Sequence, residues 1–174
     1  MATKGGTPPQ HLSFLAQAAK AAKRYGVFPL LRGAEARAQD LPRIGTSRLP
    51  AQNIVDLNQV PLVSYPGSTL DSIDVKGTRT AVNGYWFGLT GPMGPLPLHL
   101  TEFAMNERRY GTKRPFGRFL DVLAGRMLQF FYRAWADSQP AAHADRPGDD
   151  RFAKYLAALS GADRLVRTML EPLV

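Results

Sequence analysis

Cysteine is absent from the 174-residue chain, so disulfide frameworks and thiolate metal sites are excluded. That absence fits a reducing compartment. Histidine is scarce. His11, His99 and His143 lie far apart, and the zincin pattern of two histidines around a glutamate does not occur. No apolar run reaches the roughly 18 residues that suggest a membrane span. Lys20 and Lys23 interrupt the alanine-rich start, so a secretory leader is not expected. These lacks predict an unexported chain that holds no metal and no cofactor.

Catalytic patterns are missing too. The glycines form neither the phosphate loop ending in Gly-Lys-Ser/Thr nor the dinucleotide fingerprint, and no Gly-x-Ser-x-Gly elbow is present. Asp71 and Asp74 fall in a short strand and Asp149-Asp150 at a helix start, without the apolar and basic surroundings that split carboxyl pKa values. His99 and Glu102 could share one helical face, but a relay or metal site needs further ligands nearby. The sequence therefore reads as non-enzymatic.

What is present is charge, unevenly spread. The net charge is +8, with eight Lys/Arg against two acids in residues 1–48 and seven against two in residues 105–133. Arg108-Arg109, Lys113-Arg114 and Arg118, interleaved with Tyr110 and Phe116, could hold phosphates and stack bases. A basic nucleic-acid-binding domain is accordingly the alternative reading. No helix-turn-helix, zinc-finger or RNA-binding signature accompanies the cluster.

Residues 1–10 read as a flexible tail and residues 11–137 as one α+β region. Residues 138–148 read as a polar linker, and 149–174 as two short C-terminal helices separated at Gly161. Helices are expected over His11–Tyr25 and Phe28–Ala38. Four runs, Asn53–Gln59, Leu62–Tyr65, Leu70–Val75 and Arg79–Phe87, predict a small, mostly antiparallel sheet over about residues 53–87. Prolines around Leu62–Tyr65 assign that strand to an edge.

Two segments carry candidate binding residues. Gly88–Leu98 combines three glycines and three prolines with Leu89, Met93, Leu96 and Leu98, so it can be neither helix nor regular strand. An apolar surface loop marks a binding site, although the same side chains could fold down as a lid on the core. After Pro115, Phe116, Phe119, Leu120, Leu123, Met127, Phe130, Phe131 and Trp135 keep to one helical stripe. So wide an aromatic face must be buried against something, either this chain's core or a partner. Gly125 inside the helix points to close packing there.

The run Phe87-Gly88-Leu89-Thr90-Gly91-Pro92-Met93-Gly94-Pro95-Leu96-Pro97-Leu98-His99-Leu100-Thr101-Glu102 resembles the signature of TssG, a baseplate component of the bacterial type VI secretion system. Phe119-Leu120-Asp121, Tyr132-Arg133-Ala134-Trp135, Phe28-Pro29-Leu30-Leu31-Arg32, Pro42-Arg43-Ile44-Gly45 and Tyr155-Leu156-Ala157-Ala158-Leu159-Ser160-Gly161 are similar to further markers of that family, in order.

The resemblance implies a non-catalytic wedge subunit of a phage-like contractile injection machine. Such a subunit bridges a TssF dimer and TssK trimers, contacts TssE, and works in the cytoplasm at the inner face of the cell envelope. It makes Leu89, Pro92, Met93, Pro95, Leu96, Pro97 and Leu98 the expected TssK-docking foot. It makes Phe116, Phe119, Leu123, Phe130, Phe131 and Trp135 the expected surface for TssF. Family members are longer, and this chain corresponds to their N-terminal half, with the second half absent.

Overall fold

The computed structural model describes residues 9–92 and 94–161. The expected N-terminal tail up to residue 8, Met93 and the expected helix over residues 162–171 lie outside the described residues. The chain divides between Arg133 and Ala134 into two compact units.

In the first unit, helix α1 spans Gln10–Ala19 and α2 spans Val27–Arg37. Helix α2 buries Val27, Leu30, Leu31, Ala34 and Glu35, the i, i+3, i+4, i+7 rhythm of an amphipathic helix. Both helices pack together, and α1 also lies against a strand of the sheet. His11, the first residue of the expected helix, is buried at the start of α1, and that burial lowers its pKa.

The sheet holds three strands, β1 Asp56–Gln59, β2 Leu70–Lys76 and β3 Arg79–Gly84, in the order β1-β3-β2. Strands β2 and β3 form an antiparallel hairpin turned at Gly77, whereas β1 runs parallel to β3. The sheet is thus mixed rather than mostly antiparallel, and the α+β class stands. Leu62–Tyr65 is not a strand. Pro61 and Pro66 remove the donors at its two ends, and the segment becomes a bent crossover that lets β1 pair in parallel. Leu57, Leu70 and Val82 point into the core with Leu15, Leu30 and Leu31, all essentially inaccessible. The other face carries a polar ladder in which Asn83 Nδ2 donates to Asp74 at 2.8 Å and Asn58 Nδ2 donates to Asn83 at 3.1 Å.

Helix α3 covers Leu98–Tyr110 and α4 covers Pro115–Asp137, so α4 continues past the boundary of the first unit. In the second unit, residues expected to be linker fold into α5, Pro140–Ala144, followed by a single 3-10 turn. His143 is buried there, edge-on to Phe152 at 5.2 Å, with Nε2 3.8 Å from the Asp137 carboxylate. Helix α6, Arg151–Ser160, is capped by Asp150, whose side chain accepts from Ala153 N, and stops at Gly161, whose φ is +74°.

Candidate functional site

Helix α4 begins where Pro115 occupies the first position, whose N–H has no intrahelical use. Glu107, from the last turn of α3, accepts hydrogen bonds from Phe116 N (3.1 Å) and Gly117 N (2.8 Å). A carboxylate thus satisfies two orphan donors and complements the helix dipole. No capping motif in sequence announces this, because the cap comes from another helix.

The side of α4 that meets the rest of the first unit is narrow and partly polar. Ala124, Leu128, Gln129 and Tyr132 are buried. A Cβ at Gly125 would stand 3.0 Å from the Leu57 carbonyl, so the glycine allows β1 to approach, as the sequence predicted. Arg126 donates to Ser47 O at 3.0 Å and to Gln129 Oε1 at 2.9 Å. Farther along, Glu35 accepts from Tyr132 Oη (3.0 Å), Arg133 Nη1 (3.4 Å) and Ile44 N (2.9 Å). Burial, and then the Glu35 charge, raise the Tyr132 phenol well above its ordinary value.

The bulky stripe therefore lies on the opposite side. Phe119 is 61% exposed, Val122 82%, Leu123 55%, Met127 63% and Phe130 46%. Of the six residues expected to meet a partner through α4, Phe119, Leu123, Phe130 and, to a lesser degree, Phe131 are open to solvent. Phe116 is half-buried against Phe103, with ring centres 5.4 Å apart. Phe131 turns toward a cluster with Phe28 and Trp86 and stacks on Phe87 at 4.1 Å. Trp135 belongs to the second unit and is half-buried.

The Gly88–Leu98 segment is neither a free arm nor a simple lid. Gln59, at the end of β1, donates from Nε2 to Thr90 O at 2.7 Å. Its Oε1 accepts from Thr90 N at 2.9 Å and from Thr90 Oγ1 at 3.0 Å. A Cβ at Gly88 would overlap the Gln59 amide, so glycine is what allows the clasp. Gly91 N donates to Thr101 Oγ1 at 3.1 Å, and Leu96 N to Leu89 O at 3.1 Å. Above this base Pro92, Pro95, Pro97 and Leu98 are exposed, while Leu89 and Leu96 are half-buried. Met93, named with them from sequence, lies outside the described residues. At the entrance Phe87 has φ +31°, a backbone strain of about 1–3 kcal/mol for a bulky residue, retained under its stack with Phe131.

Loop and helix also meet. A cleft of about 670 Å³ is lined by Tyr65, Phe87, Leu89 and Pro92 on one side and by Leu123 and Met127 on the other. No Asp, Glu, His, Lys or Arg lines it among the described residues. Tyr65, Phe87 and Gln59 are members that sequence reasoning missed. Gln59 and Thr90 are 31 positions apart, and nothing local links them.

Of the basic cluster, Arg108 is taken up by Asp71 at 3.1 Å, and Asp71 also accepts from Tyr85 Oη at 2.8 Å. Arg109, Lys113, Arg114 and Arg118 are exposed. Among the described residues, no group of three His, Asp or Glu side chains could hold a metal ion, and no helix is long and apolar enough to cross a membrane.

Fold and site together define an α+β protein whose distinguishing surface is apolar, built from one proline-rich loop and one outward helix face. The profile of the family described as Type VI secretion, TssG matches residues 21–171, and the chain belongs to that family. It is a type VI secretion baseplate component. No curated protein and no solved structure matches the chain.

Proposed function

We propose that this chain is a non-catalytic wedge subunit that bridges TssF and TssK in the contractile injection machine. In this reading the outer face of α4 seats the TssF dimer, and the Gly88–Leu98 loop holds TssK trimers. TssE is a further contact, and the assembled baseplate sits in the cytoplasm at the inner face of the cell envelope.

The observation that carries the reading is the exposure of Phe119, Val122, Leu123 and Met127 along more than two turns of a helix whose other side is already packed. A soluble monomer rarely leaves so continuous an apolar strip in water, and such strips mark interaction sites. The loop adds a preset shape. Its prolines reduce the ordering entropy lost on binding, and its Gln59 clasp fixes the base.

Co-expression with tagged TssF and TssK tests both assignments. Leu123→Asp/Phe130→Asp should lose TssF while retaining TssK, and Met93→Asp/Leu96→Asp should lose TssK while retaining TssF. Melting temperatures near the parent's are expected for the helix variant. Normal capture of both partners by both variants would refute the assignment.

A further inference from the structure

Cations gather at the corner where α3 gives way to α4. Every residue from Arg109 to Pro115 is exposed there. Arg109, Lys113, Arg114 and Arg118 make no ion pair among the described residues. The acids around them are already engaged. Asp71 binds Arg108 at 3.1 Å and Tyr85 at 2.8 Å, Glu107 caps α4, and Asp121 accepts from Gln59 N at 3.3 Å. Glu102, the other acid of α3, stands about two turns before Arg109.

These cations converge rather than form a row. Burial raises the Asp121 pKa, while the Gln59 hydrogen bond, Arg114 and Arg108 oppose that rise. Both guanidinium groups therefore lie near Asp121, beside the end of β1. Just past β1, a shallow recess of about 310 Å³ is lined by Val60, Pro61, Met105, Asn106, Arg108 and Arg109. Arg108 spends only Nη2 on Asp71, and the Asn106 and Arg109 side chains make no hydrogen bond among the described residues. The recess thus offers nitrogen donors on one wall and hydrocarbon on the other, with no carboxylate among its described lining residues.

We infer that this recess binds the phosphate headgroup of an anionic phospholipid, with the surrounding corner resting on the membrane surface. Arginine presents forked donors that match phosphate oxygens. Val60, Pro61 and Met105 suit the hydrocarbon that begins just beyond a lipid headgroup. Tyr110, 77% exposed among the cations, is an amphipathic ring of the kind that settles at headgroup level. Clusters of about four or more Lys/Arg are what anionic leaflets attract. A nucleic-acid strand fits less well, because it needs cations along a groove and aromatic faces for successive bases, and the recess has no aromatic wall. The inference does not rest on the TssF or TssK assignment. At about 100° per residue, Arg118 projects half a turn of α4 away from Met127.

The test is flotation of the full chain with vesicles of phosphatidylcholine, alone or with phosphatidylglycerol added. The protein should rise only with the anionic vesicles, and less so as sodium chloride increases. Asn106→Asp/Arg109→Glu changes two exposed side chains that hold nothing else in place. It should leave the melting temperature unchanged and lower the partition coefficient at least about tenfold. Lys113→Glu, in the turn between the helices, should lower it in the same direction. Leu123→Asp/Met127→Asp, on the far side of α4, should float like the parent.

Flotation with neither vesicle, equal flotation with both, or full binding by Asn106→Asp/Arg109→Glu overturns the inference. Loss of binding in Leu123→Asp/Met127→Asp also overturns it, since the apolar strip would then be what meets the lipid. Displacement from the vesicles by inorganic phosphate at matched ionic strength would make free phosphate the ligand instead. Displacement by a single-stranded oligonucleotide or a polyglutamate peptide under the same conditions would replace the membrane with nucleic acid or an acidic protein.

Discussion

Glu35 shows how much one buried carboxylate can organise. It projects from α2, is almost wholly inaccessible, and takes hydrogen bonds from the Ile44 backbone, Tyr132 and Arg133. Removing it leaves a phenol and a guanidinium without that partner in a poorly solvated site. Glu35→Ala should therefore cost about 3 kcal/mol in chemical denaturation, and Glu35→Gln clearly less. Tyr132 adds a pH dependence. Its folded pKa lies above the ordinary 10.0, so the folded state holds the phenolic proton after the unfolded chain has released it. The contribution of Tyr132 is thus fully present below about pH 10 and is lost progressively as pH rises beyond that. Denaturation midpoints measured from pH 8 upward should fall in the parent, and the alkaline fall should be shallower in Tyr132→Phe.

At the scale of elements, the Gly88–Leu98 loop depends on one clasp. Gln59→Leu removes three hydrogen bonds to Thr90, and Gly88→Ala drives a methyl group into the Gln59 amide. Both should speed hydrogen exchange at the Thr90 amide and weaken TssK co-purification, with only a small change in melting temperature. Unchanged exchange at Thr90 would show that the clasp does not set the loop. This element was legible in the sequence as an irregular apolar loop, because prolines and glycines announce their backbone needs locally. Its clasp was not, since the partners come from β1 and the loop.

Helix α4 was legible in the same partial way. Periodicity marked the helix and its apolar stripe but could not orient it, because both of its sides carry apolar residues. Leu128 and Tyr132 face inward, and Leu123 and Met127 face outward. The choice was made by Gly125, which admits the Leu57 carbonyl, and by the polar latches of Arg126 and Gln129. Bulk alone left the core and a partner equally open as what the stripe meets. The parallel pairing of β1 was hidden for a similar reason, because strand direction depends on the crossover through residues 60–69 rather than on the strand's own residues.

At the scale of the whole molecule, two properties of the surface oppose each other. A net charge of +8 keeps chains apart, while large apolar side chains stand exposed on the loop, α4 and α6, including Leu98, Val122, Met127 and Leu159. Charge repulsion reaches only about 10 Å at 0.1 M salt and about 3 Å at 1 M. Attraction between apolar patches grows in kosmotropic salts such as sulfate. The isolated chain should therefore be most nearly monomeric at low ionic strength and should self-associate as sulfate rises. Static light scattering across a sulfate series gives the threshold. Leu123→Asp/Met127→Asp should move that threshold upward, because it breaks the apolar strip of α4 without touching the helix's packed side. Co-expressed TssF should have the same effect on the parent and no further effect on the variant, since one surface would be covered in one case and erased in the other. A threshold identical in parent and variant would show that the α4 face does not drive association.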